Sequence, residues 1–154
     1  RDLASSLQRA RMTAIVRNRS TALRLTGVGA DSQLELFVDG NGNGVLTRDI
    51  RDGIDTAIAP VQRVAERFPG VGFGALPGLP AVDQGGTPPG DDPVRFGAGS
   101  LAVFTPSGTA SSGSLHLRGR GGAQFAIRLF GETGKTRVLR FQPGPGQWVP
   151  ISGR

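Results

Sequence analysis

The chain has 154 residues, enough for one domain around a single core, and only 37% of them are hydrophobic. Its 25 Gly and 11 Pro disfavour long helices and central strands, and the absence of Cys excludes disulfides and thiolate catalysis, so a turn-rich α+β domain dominated by strands is expected. The net charge of +6 is uneven: residues 1 to 25 carry six Arg against Asp2, residues 26 to 112 five Arg against ten acids, and residues 113 to 154 seven basic residues against Glu132.

Residues 1 to 19 predict an amphipathic helix. Leu3, Leu7, Ala10 and Ala14 recur at the spacing of one helical face, and no Gly or Pro occurs before Gly27, so nothing stops the helix early. Asp2 is the only candidate cap, and the stretch reads as the C-terminal half of a longer helix. No run in the chain approaches the roughly 20 apolar residues that span a bilayer. Ser20 to Leu25 and then Gln33 to Val38 alternate with period two, and Gly27, Gly29 and Asp31 supply a turn between them. A hairpin with the helix packed on its sheet follows from that order.

Residues 39 to 55 read DGNGNGVLTRDIRDGID. Asp39, Asn41, Asn43 and Gly44 match positions 1, 3, 5 and 6 of a calcium loop, with the Val45 carbonyl at position 7 and Thr47 at position 9. Position 12, where a bidentate Glu belongs, is Ile50; Asp49 stands one residue early and Asp52 two late. A weak calcium site is one reading. The other is a metal-free loop, since Asp-Gly and Asn-Gly steps supply the left-handed backbone that tight turns need.

Between Ala57 and Phe73, Val61, Val64 and Phe68 allow a helical turn or two, but Pro60 and Pro69 bracket a piece short enough for an edge strand, the reading favoured here. Residues 70–93 form a Gly/Pro-rich segment with Asp83, Asp91 and Asp92, expected to be a flexible loop within the single domain 1–154. Leu101 to Thr105, Ser114 to Arg118, Ala123 to Phe130 and Lys135 to Gln142 then predict a four-stranded β-meander. Leu115, Leu117, Phe125, Ile127 and Leu129 face inwards, leaving His116 exposed, and Trp148 covers one end of the sheet.

Two tempting motifs fail. Phe130 to Thr136, FGETGKT, imitates a phosphate-binding loop, but position 129 is Leu where the pattern needs Gly, and a β-branched, aromatic run follows instead of a helix. His116 is the only imidazole, with no nucleophile elbow and no placed carboxylate pair beside it, so no enzyme and no small-molecule substrate are expected.

Taken together, LASSLQRARMTAIVRNR at 3–19, FVDGNGNG at 37–44, VFTPSGTASSGSLHLRG at 103–119 and GKTRVLRF at 134–141, with Trp148 near the end, resemble the GspH/FimT family of minor pseudopilins and minor pilins. The resemblance implies a pilin-like fold and a structural subunit at the tip of a type II secretion pseudopilus or a type IV pilus. It also implies other pseudopilins as partners, a preceding inner-membrane half-helix with a prepilin-peptidase site, and a periplasmic β domain. Leu3, Leu7, Ala10 and Ala14 are then the candidate assembly stripe, shared between the domain's own sheet and a partner helix. Some FimT-like pilins bind DNA through a Gly-Arg-x-Arg motif. Gly134, Lys135, Thr136 and Arg137 resemble it with Lys for the first Arg, a change that keeps charge but loses the bidentate fork. Arg118, Arg120, Arg128 and Arg140 could add phosphate contacts. Seventeen Arg against one Lys also fits coding bias.

Overall fold

Leu, Ala and one Ser at the buried positions let helix α1, Asp2–Arg17, lie close against strands without large side chains to hold it off. In this computed structural model residues 2–97 and 99–151 are described. The helix ends two residues earlier than its Gly and Pro content predicts. Asn18 takes φ 53°, the Arg19 amide reaches back to the Ala14 carbonyl and the Asn18 amide to Ile15, which is a Schellman stop built on Asn instead of Gly.

Strands β1 (Thr21–Thr26) and β2 (Gln33–Val38) form the expected antiparallel hairpin, with Thr21 opposite Val38 and Leu25 opposite Leu34. After the acidic loop come a short helix α2 (Thr47–Arg51), strands β3 (Thr56–Ala57) and β4 (Gln62–Arg63), a single helical turn α3 (Val64–Arg67) and strand β5 (Gly72–Phe73). The edge strand favoured for 57 to 73 is therefore corrected to three two-residue strands and a helical turn. Val64, with 1% of its surface exposed, turns into the core, its amide held by the Ser32 carbonyl and its own carbonyl by the Phe68 amide, which closes a helical turn where a strand would continue.

Strands β6 (Val94–Phe96), β7 (Leu101–Phe104), β8 (Gly113–Arg118), β9 (Gln124–Leu129), β10 (Thr136–Gln142) and β11 (Gln147–Pro150) complete two antiparallel sheets. The first runs β3-β2-β1-β7, with β4 also on β2; the second runs β11-β10-β9-β8-β5, with β6 also on β8. The meander is thus β8 to β11. Leu101 to Phe104, expected to open it, instead pairs with β1, Ala22 opposite Val103, and this crossing joins the sheets through the chain. Trp148, expected to cover one end of the sheet, is itself part of its edge strand β11.

The helix contacts β1, β7 and β10, so one buried stripe serves both sheets. Leu3, Leu7, Ala10 and Ala14 share a core with Leu23, Leu25, Phe104, Leu115, Ile127 and Leu129. Inside it the Thr21 hydroxyl donates to the Ala10 carbonyl at 2.7 Å. Fully buried Ser32 accepts the Phe73 amide on its hydroxyl and the Val64 amide on its carbonyl, which ties the start of β2 to the second sheet.

Each sheet also has an outer face, and both are covered. Ala22, Phe37 and Val45 form a second small core behind the first sheet, under the acidic loop. Residues 74–93, the greater part of the Gly/Pro-rich loop 70–93, lie across the second sheet. They bury Leu79 there, and His116, Gln124, Ala126 and Leu139 on the sheet's outer face are buried. His116 is therefore not the exposed strand residue its polar neighbours suggested.

Candidate assembly surface

Helix α1 presents two apolar surfaces. Leu3, Leu7, Ala10 and Ala14 are 4% exposed or less, wholly consumed by the domain itself. Around the helix stand Met12, Ile15 and Val16, exposed by 51%, 38% and 77%. Their i, i+3, i+4 spacing makes them one continuous ridge. The periodicity that found the buried stripe passes over this ridge, because Arg9, Arg11, Arg17 and Arg19 around it read as a polar face.

Below the ridge the helix borders β10 and the turns at Gly108 and Gly134. Gln8 donates to the Gly134 carbonyl at 2.9 Å and Arg11 to the Gly108 carbonyl at 3.2 Å. Gly134 has φ +70°, and a Cβ there would strike the Gly108 carbonyl and the Arg11 side chain, so a Gly is needed for the turn to approach the helix. A groove of about 850 Å³ opens beside this contact, lined by Ala4, Gln8, Phe68, Val71, Phe125 and Val138 among others.

The acidic loop is organised by its own backbone. Asp39, 5% exposed, accepts the amides of Asn41 and Gly42 on Oδ1 and of Gly44 on Oδ2, at 2.8 to 3.1 Å. Asp55, 1% exposed, accepts the amides of Gly40 and Leu46 at 2.8 and 3.0 Å. Asp49 receives the Asn41 side-chain amide at 3.4 Å and lies 3.8 Å from Arg48. Of the candidate calcium ligands, Asn41 links Asp39 to Asp49, and its Oδ1 accepts the Asn43 amide at 3.4 Å; Asn41, Asn43 and Thr47 are exposed, and the Val45 side chain belongs to the small core. Among the described residues no three His, Cys, Asp or Glu side chains are grouped so as to hold a metal. Asp55 holds two of the loop's amides beside the three on Asp39, a role no local pattern marks, since its partners are 9 and 15 residues away.

The six candidate phosphate-binding cations do not form one patch. Arg128 pairs with Asp83 at 2.8 Å and stacks on Phe130, Arg120 donates to the Pro69 carbonyl, and Arg118 to the Gly122 carbonyl. Lys135, Arg137 and Arg140 are exposed, the last over the Phe125 ring. Strand alternation sends Arg137 and Arg140 to opposite faces of β10.

A helix whose inner stripe seats two antiparallel sheets defines the class: an α+β, pilin-like subunit. The family model described as Type II transport protein GspH matches residues 1–134, and the chain belongs to that family. It is thereby a pseudopilin of type II secretion, an envelope-associated structural subunit that works with other pseudopilins. No curated protein and no solved structure matches it significantly. The family match ends before Lys135, so Lys135, Arg137 and Arg140 lie beyond it. No helix among the described residues is long and apolar enough to cross a membrane.

Proposed function

We propose that this chain is a minor pseudopilin that assembles into the tip of a type II secretion pseudopilus, anchored in the inner membrane by an apolar helical segment ahead of Arg1, with its β domain in the periplasm. The observation that supports this is the ridge of Met12, Ile15 and Val16. Leu3, Leu7, Ala10 and Ala14 fix the domain to its helix, and the ridge is the face that neighbouring subunits cover. Charge is unfavourable in a packed helix interface, so Ile15→Glu with Val16→Glu should block co-purification with partner pseudopilins and abolish cargo secretion. Because both positions are exposed, unfolding should shift by no more than about 0.5 kcal/mol. Intact assembly in this variant rejects the ridge. An uncut gene product without about 20 apolar residues ahead of Arg1 rejects the anchor.

A DNA receptor is the rival reading, resting on Lys135 and Arg137, which carry no ion pair among the described residues. A labelled duplex would then bind at low salt and dissociate as salt rises, and no binding at low salt removes the idea. A calcium-stabilised surface module makes a different demand. Millimolar calcium must raise the melting temperature, and an unchanged value dismisses the Asp39 loop as a site.

A further inference from the structure

Residues 74–93 begin and end on a single residue of the second sheet. The Gly74 amide donates to the His116 carbonyl at 3.0 Å, and the His116 amide donates to the Pro93 carbonyl at 2.7 Å. Between these ends the segment is held by side chains: Trp148 Nε1 donates to the Pro80 carbonyl at 3.0 Å, Asp83 pairs with Arg128, and Gln124 bonds Gly74 and Leu76.

His116 lies beneath it, 4% exposed, and its Nε2 has no hydrogen-bond partner. The ring meets the edge of Trp148 with centroids 5.6 Å apart. These are the chain's only His and only Trp. A cavity of about 240 Å³ between segment and sheet is lined by Asp83, Asp92, Arg95, His116 and Arg128 among others, which gives a proton a route to the ring.

Arg95 on β6, Arg118 on β8 itself and Arg128 on β9 face this side of the sheet, with Arg137 on β10 opposite Arg128; β11 adds no charge. The overlying segment contributes Asp83, already 2.8 Å from Arg128, and Asp92, 3.8 Å from Arg95. An imidazolium here would sit among cations whose carboxylates are spoken for, and its new N–H would lack an acceptor. A buried charge without a partner is strongly disfavoured, and it escapes by reaching water.

We propose that residues 74–93 are a strap that lifts from the second sheet when His116 is protonated and reseats when it is neutral. Burial lowers the imidazole below its ordinary value of 6.5; a hydrogen bond with the Pro93 backbone opposes this, and the Arg95 charge adds to it. The closed strap thus favours the neutral ring. Closure is fully supported above pH 6.5 and is lost as the pH falls from there through the lowered value.

Hydrogen exchange over 74–93, with the amides of β1 as reference, and Trp148 emission test this between pH 8 and pH 5. Corrected for intrinsic exchange, strap protection should fall by about tenfold or more while β1 stays protected, and the emission of Trp148 should change with the same midpoint. In His116→Gln the strap should stay closed at pH 5. In Asp83→Asn it should open more at every pH yet keep its pH dependence. Equal strap exchange at pH 8 and pH 5, simultaneous loss of β1 protection, or an unchanged transition in His116→Gln overturns the proposal. Should His116→Gln fail to fold, an imidazole titration of the unaltered protein by NMR replaces it. A midpoint that differs from that of strap opening is equally decisive against the idea.

Discussion

Two Gly-rich excursions cover the outer faces of the two sheets, and they are built on opposite principles. Residues 39–55 are held from within, by buried Asp39 and Asp55 carboxylates accepting five backbone amides. Residues 74–93 are held from below, by side chains of the sheet: Gln124, Arg128 and Trp148. A loop that satisfies its own amides keeps its shape whatever lies beneath it. A segment clamped by its floor depends on the state of that floor, and the floor here contains the chain's one titratable ring.

The contrast can be broken from either side. Asp39→Ala removes the 5% exposed acceptor that three loop amides share, and urea unfolding should show a loss of about 2–4 kcal/mol. Destabilisation under 1 kcal/mol would mean that solvent satisfies those amides and that the two covers are alike. Gln124→Ala removes the clamp at the strap's start, where the side chain is 2% exposed. It should cost about 1–3 kcal/mol and raise exchange at Gly74 and Leu76 first. Asp83→Asn is the mildest, since the Asp83 side chain is 45% exposed, and less than about 1 kcal/mol should be lost. Reversal of the last two would place the strap's hold at its middle and not its ends.

Much of this domain is legible as local pattern. The stripe Leu3, Leu7, Ala10, Ala14 and the alternation through β1, β2, β8 and β9 mark which faces go inward, because burial repeats at the period of the backbone. Asn18 shows the limit even locally: Gly and Pro are the usual helix stops, yet an Asn able to take the left-handed conformation ends this helix first. The candidate surface was half visible. Its buried partner stripe was plain, but Met12, Ile15 and Val16 are identified only by what fails to cover them.

Other features lie beyond any local pattern. Strand β7 joins β1 across about 80 residues, Asp55 closes the acidic loop from its far end, and His116 is buried by a segment with the composition of a solvated loop. The helix, the hairpin, three of the meander's strands and the family are readable from the residues alone, since each rests on neighbouring residues in a fixed period or motif. Only the tertiary structure decided which strand pairs with which sheet, which cations remain free and which polar residues lose their water. Those outcomes depend on distant segments competing for the same faces, and the apolar area each one covers decides the winner.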